Sequence, residues 1–281
     1  MKSFMKVLTV LITVAVIAAC TTSPTGRKQL NLFSGSALNS MGSEAFAQIK
    51  QEEKVSTDPA LNQYAQCIAN AIIEVLPYEY SHIEWEVVVF ESATINAFAL
   101  PGGYIGFYTG ILKLTENQHQ VAAIMGHEIG HVMADHSSER LSTNLLISAG
   151  LLAADIATSD RSPGQRAAIM AGLGITSQLA VALPYSRRHE SEADEIGLDL
   201  MARAGFKPEE APRLWELMAQ AGGGSTPELL STHPSPSSRI RDLTNQIPAV
   251  MPYYQERAAQ GRLPNCPRPS VLDQMHEEES N

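Results

Sequence analysis

His127-Glu128-Ile129-Gly130-His131 decides how the rest of this chain is read. On an α-helix the two histidines stand four positions apart, about 40° in azimuth, so both imidazoles reach one metal ion. Glu128 lies at the edge of the same face, close enough to take a proton from an activated water but poorly placed to chelate. Val121, Ala122, Ile124, Met125, Ile129 and Val132 surround the motif, which sets it inside a buried helix. A zinc site of this kind needs a third protein ligand and one open position. Directly after the motif, Val132-Met133-Ala134-Asp135-His136 lacks the Gly and the spaced His of the metzincins. His136 falls about 140° round the helix and reads as structural. Glu190, on a helix expected from about Ser186, is the better third ligand. Asp194 shares its face at i, i+4, so one carboxylate can bind zinc while the other accepts a proton from a ligating imidazole. Glu192 points about 200° away from Glu190, and His189 reads as a solvated or cap-proximal histidine.

The 281 residues are 44% hydrophobic, enough for one large domain or two modest ones. A net charge of −10 speaks against a nucleic-acid binder. At the N-terminus Lys2 and Lys6 precede an apolar run from Val7 to Ala19, too short to span a bilayer with ease, and small residues lead into Cys20. The pattern resembles a bacterial lipoprotein signal over 1–19, with cleavage before Cys20 and acylation of its thiol; a plain membrane anchor is the alternative. Thr22, in place of an acidic residue after the lipid site, suggests the outer membrane. Cys67 and Cys266 are then the remaining cysteines in an oxidising compartment, either bridged or as two free thiols.

Residues 20–35 read as a polar, lipidated tether. Helices are expected over about Ser36 to Lys54 and Asp58 to Leu76, the second capped by Asp58 with Pro59 at its first position. A strand is expected from Ile83 to Phe90, and two more flank Pro101-Gly102-Gly103. From Asn117 onward the chain reads as helical, broken at Ser162-Pro163-Gly164, Pro184, Gly205 to Pro208 and Gly222 to Gly224. Leu145 to Thr158 and Ala167 to Leu183 carry too many polar residues for a transmembrane hairpin and are read as buried or membrane-facing helices of a soluble domain.

Beside the zinc motif and Glu190-x-x-x-Asp194 stand Asn96-Ala97-Phe98-Ala99-Leu100-Pro101-Gly102-Gly103 and Thr232-His233-Pro234 with Arg239. Together they resemble the zinc metallopeptidases related to the CaaX prenyl protease and the HtpX peptidase, over about Pro24 to Gln246. With the lipobox and Thr25 to Leu30, the match is closest to the periplasmic lipoprotein branch, of the BepA and LoiP kind. The resemblance implies an α+β, mostly α-helical, gluzincin-like domain over 36–246 with a small sheet beside the active-site helix. It further implies one zinc per chain on His127, His131 and Glu190, with Asp194 as partner and an edge strand over Asn96, Ala97, Phe98 and Ala99 for substrate. His233 and Arg239 would lie near the metal. There His233 either stabilises the oxyanion or occupies the open coordination site, Arg239 supports transition-state charge, and a packing loop with an ion pair is the plain alternative. The long tetratricopeptide array of BepA-like proteins is not expected here; within the C-terminal extension over 247–281, Asp242 to Gln260 reads as at most one or two helices and His276 to Asn281 as an acidic tail.

The expected function is that of a lipid-anchored zinc endopeptidase on the periplasmic side of the outer membrane. Glu128 would be its general base, and unfolded or misassembled envelope proteins its substrates. Two rivals stay open: a chaperone or assembly factor with a closed zinc site, and a zinc amidase acting on cell-wall material.

Overall fold

The computed structural model describes residues 20–221, 229, 233 and 236–273. The expected signal segment 1–19, Thr232, Pro234, Ser235 and the acidic tail lie outside the described residues.

A hairpin, β1 (Cys20–Thr22) and β2 (Lys28–Leu30), opens the described residues where a tether is expected. Gly26, with φ of +87°, turns it. It is held down because the Arg27 guanidinium spans two buried carboxylates, Glu139 and Glu192. Helix α1 (Gly35–Glu52) follows, then α2 (Pro59–Ile73), whose N-cap Asp58 accepts from Ala60 and Leu61 as its position before Pro59 predicts. The sheet holds β3 (Glu86–Phe90), β4 (Ala97–Leu100) and β5 (Tyr104–Tyr108) in the order β3-β5-β4, with β3 parallel and β4 antiparallel to β5. The first strand starts three residues later than expected, because the Ile83 N–H is spent on a turn to the Tyr80 carbonyl. Gly102 and Gly103, with φ of +95° and +92°, make the tight β4–β5 turn.

Short α3 (Thr109–Leu114) leads to α4 (Gln118–Met133), capped by Asn117 and buried along almost its whole length. Helix α4 is the centre of the domain, packed on α2, on β4 and on α7 (Leu183–Ala204). Between them α5 (His136–Ala157) and α6 (Pro163–Ser177) form a helical hairpin. These are the two apolar stretches of the sequence, and they are not buried in the domain. Leu145, Leu146, Leu152 and Ile156 on α5, and Ile169, Leu173 and Ile175 on α6, are exposed. Pro184 does not break the chain either. A π-helical stretch, Gln178–Ala182, carries the helix from α6 into α7, and the proline follows directly on that widened turn.

Helix α8 (Glu210–Ala221) packs on α4, and α9 (Pro236–Ala259) closes the domain against α7 and α8. The segment beyond α9 returns to α2, where Cys266 is bonded to Cys67 across 199 residues of sequence. Of the two expectations for these thiols, the bridge is the one observed.

Candidate metal centre

The site forms where α4 and α7 cross, and small residues permit the crossing. A Cβ on Gly126 would lie 2.8 Å from the Gly197 carbonyl oxygen. One on Gly130 would lie 2.9 Å from that of Ala193, and one on Gly197 would lie 2.6 Å from the His127 nitrogen. These backbones touch at distances that no side chain fits. As a result Glu190 and Asp194, one turn apart on α7, face His127 and His131, one turn apart on α4.

The imidazoles of His127 and His131 turn their Nε2 atoms to one point, 3.0 Å apart. Glu190 supplies Oε2 at 3.4 Å from His127 Nε2 and Oε1 at 3.6 Å from His131 Nε2. His233 completes the group, its Nδ1 3.1 Å from His127 Nε2 and 2.6 Å from Glu190 Oε2. All four residues offer one ligand atom within 4.8 Å of the others. Tetrahedral zinc with bonds of 2.0–2.1 Å to nitrogen and oxygen separates its ligand atoms by roughly 3.3 Å, so the spacing suits the ion. Glu190 Oε1 is buried with no hydrogen-bond partner, and so is Glu128 Oε1. An orphaned buried carboxylate oxygen is costly in a resting fold, and a cation beside it removes that cost.

Protonation agrees in part. Burial alone would raise Glu190, but hydrogen bonds to His127 and His233 hold it well below the carboxylate range. Burial, aided by the charges of His127, His136 and His233, drives His131 well down against Glu190. Glu190 is therefore anionic and His131 neutral, the forms that ligate. Burial and the Arg239 charge push His127 down, yet hydrogen bonds to Asp194 and Glu190 overcome them and lift it to about 9, so a metal must displace that proton. Glu128 is 2% exposed, and burial raises its carboxyl despite the opposing charges of His233 and His127. A raised carboxyl suits proton transfer near neutral pH.

Asp194 Oδ1 stands 3.0 Å from His127 Nδ1, which fixes that ring with its Nε2 towards the site. Arg239 is buried and stacked on Trp215 at 3.5 Å. Its Nε donates to Asp194 Oδ2 at 2.6 Å and its Nη1 to Glu190 Oε2 at 3.2 Å. The guanidinium expected to meet developing charge on a substrate is thus spent on the site's own carboxylates, and it acts through them.

β4 lies at the sheet edge and, among the described residues, pairs only with β5. Asn96 and Ala97 are buried, and the Phe98 ring packs with Phe46, Phe90 and Tyr108. Ala99, on the alternate face, lines a cleft of about 270 Å³ together with Pro101, Gly102 and His131. What this strand offers a ligand is its main chain and Ala99, not the Phe98 ring.

Two further expectations, on His136 and His189, need correction, and a third, on Glu192, holds with contacts added. His136 is not carried 140° round from His131, because Asp135 adopts φ of +49° and ends the helix there. His136 opens the next helix, and its Nδ1 lies 2.8 Å from Nδ1 of His131. His189 is not solvated; it is 2% exposed, stacked on His136 at 4.3 Å, with Nε2 2.9 Å from Glu139. Glu192 does point away from the metal group, but it is buried and receives Arg27 Nε at 2.7 Å and His136 Nε2 at 3.1 Å. Helical phase alone could not reveal these contacts, since the left-handed residue resets the phase and Arg27 comes from 165 residues away. The one sequence signal was chemical, namely His and Glu together in both Asp135-to-Glu139 and His189-to-Glu192.

Comparison with known sequences places the geometry in context. The profile described as Peptidase family M48 matches residues 59–247. The mitochondrial metalloendopeptidase OMA1 of Schizosaccharomyces pombe is 33% identical over 211 residues, covering 74% of this chain and 60% of that protein. The metalloendopeptidase OMA1 of Danio rerio is 35% identical over 263 residues, covering 87% and 52%. The beta-barrel assembly-enhancing protease of Escherichia coli K12 is 28% identical over 223 residues, covering 75% and 44%. The chain spans about half the length of the curated relatives it matches.

Proposed function

Because this chain belongs to peptidase family M48, we propose that it is a zinc-dependent metalloendopeptidase with one zinc on His127, His131 and Glu190. The observation that carries this reading is the convergence of the three ligand groups around the orphaned oxygens of Glu190 and Glu128. When bound, zinc supplies a Lewis acid that polarises a carbonyl and brings the pKa of a water towards about 7. Asp194, steadied by Arg239, keeps the His127 proton on Nδ1. Glu128 takes a proton from the attacking water on its carboxylate and hands it to the departing amine. The unpaired edge of β4 binds an extended peptide through main-chain hydrogen bonds, beside the cleft at Ala99.

His233 gives the second reading its footing. Its imidazole stands within the donor group, where it would fill the position that an attacking water needs. The enzyme would then rest closed and open when peptide displaces His233; a site that stayed closed would belong to a chaperone or assembly factor.

For location and substrates, the relatives divide between proteins named as mitochondrial and a protease named for β-barrel assembly. The lipobox at Cys20, the Cys67–Cys266 bond and the exposed apolar faces of α5 and α6 favour a lipid-anchored enzyme on the periplasmic side of the bacterial outer membrane. Its substrates there would be unfolded or misassembled envelope proteins. Metal analysis tests the core of the proposal. Purified protein should carry one zinc per chain, His131→Ala should lose most of it, and equal zinc in both would remove the assignment.

A further inference from the structure

We infer that His136, Glu192 and Arg27 form a hydrogen-bonded chain that orients His131, so that the N-terminal hairpin is a working part of the metal centre. The inference rests on the zinc reading of the site. A histidine that gives its Nε2 lone pair to a metal carries its proton on Nδ1, and that N–H needs an acceptor to hold the ring in place. His127 has Asp194 for this purpose. His131 has another histidine, with the two Nδ1 atoms 2.8 Å apart. At that distance one nitrogen must donate and the other accept. With the His131 proton on Nδ1, His136 must accept on Nδ1 and keep its own proton on Nε2. That Nε2 is the atom 3.1 Å from Glu192 Oε2, an acceptor. The other tautomer of His136 would set two N–H groups against each other at His131 and leave a lone pair facing a carboxylate at Glu192.

The remaining links hold this arrangement in place. Glu192 receives Arg27 Nε at 2.7 Å, and the same guanidinium forks onto Glu139 at 2.9 and 2.7 Å. Glu139 in turn accepts from His189 Nε2, and the His189 ring lies nearly parallel to His136 at 19°. His136, Glu139 and Glu192 are all 5% exposed or less, so water does not compete for these bonds. Each ligating histidine therefore has its own carboxylate and its own arginine: Asp194 and Arg239 behind His127, Glu192 and Arg27 behind His131. The second set reaches the metal through an extra imidazole and draws its arginine from the hairpin that begins at Cys20.

The test compares wild type with His136→Ala, His136→Asn and Arg27→Met. It uses zinc affinity by chelator competition, the visible absorption of the cobalt(II) form, and melting with and without metal. His136→Ala should weaken zinc about 10- to 100-fold and change the cobalt spectrum. Arg27→Met, two links away, should weaken zinc by a smaller factor in the same direction. Asparagine places an oxygen where His136 Nδ1 stands and should recover most of the affinity. A purely structural role would lower both melting points together; a positioning role shrinks the rise that zinc produces. Zinc affinity and cobalt spectra equal to wild type in His136→Ala, or asparagine no better than alanine, would overturn this inference alone. A wild-type protein that takes up no zinc would overturn the zinc reading and the inference with it.

Discussion

Glu128 shows what one side chain contributes, because its buried Oε1 accepts no hydrogen bond and stands 3.7 Å from His233 Nε2. Glu128→Gln keeps shape and ligands but cannot take a proton, so zinc content should match wild type while peptide hydrolysis falls by several orders of magnitude. His233→Ala separates gate from helper. If the imidazole fills the fourth position at rest, hydrolysis at matched zinc content should rise; if it steadies the oxyanion, turnover should fall about a hundredfold. Glu139 makes a prediction about acid. Burial pushes its carboxyl up, but hydrogen bonds from His189 and Arg27, with the Arg27 charge, bring it down to about 2 from 4.5. The depressed value gives stability that is complete above about 4.5 and drains away as pH falls towards 2, on the order of 3 kcal/mol at most. Equilibrium unfolding from pH 7 to pH 2 should therefore show a shallower acid limb in Glu139→Gln, and identical limbs would contradict the coupling. At this scale the helical period paired His127 with His131 and Glu190 with Asp194, while the need of zinc for a third ligand and the family resemblance joined the two pairs. It missed His136, His189 and Glu192, whose partners lie across a left-handed residue or on the distant hairpin.

Helices α4 and α7 build the centre through the contact of Gly126 and Gly130 with Ala193 and Gly197. Gly197→Ala inserts a methyl 2.6 Å from the His127 nitrogen, where only backbone could yield. The helices must part, so zinc affinity should drop by at least tenfold and the melting temperature by several degrees. An alanine variant with wild-type zinc affinity would show that the crossing does not set the site. The sequence displayed these glycines, but their purpose depends on which helix faces which, and that is a tertiary fact. Helix α2 was legible because Asp58 and Pro59 act locally. Pro184 misled because a proline that breaks a helix and one that a widened, π-helical turn admits look alike in sequence.

The whole molecule ties the N-terminal hairpin to Glu139 and Glu192 through Arg27, the C-terminal segment to α2 by a disulfide, and a helical hairpin with an apolar surface to β2 and α4. β2 packs on α5, and Cys20, where lipid attachment is expected, pairs with Leu30 of β2. A Cys20→Ser form, lacking the anchor, should still float with phosphatidylethanolamine–phosphatidylglycerol vesicles, and Leu152→Asp with Ile156→Asp should abolish the flotation. No flotation before those changes would confine membrane attachment to the lipid. The exposed hairpin illustrates why composition could not decide the matter, since an apolar helix in a core and one lying against lipid have the same letters. The central claim is zinc-dependent peptide hydrolysis at the His127, His131 and Glu190 site. Its most direct measurement is casein digestion by protein stripped of metal and then given back one equivalent of zinc, with Glu128→Gln treated alike. Digestion that vanishes on stripping, returns with zinc and never appears in Glu128→Gln is the predicted result. Digestion that survives stripping, or equals wild type in Glu128→Gln, would contradict the account.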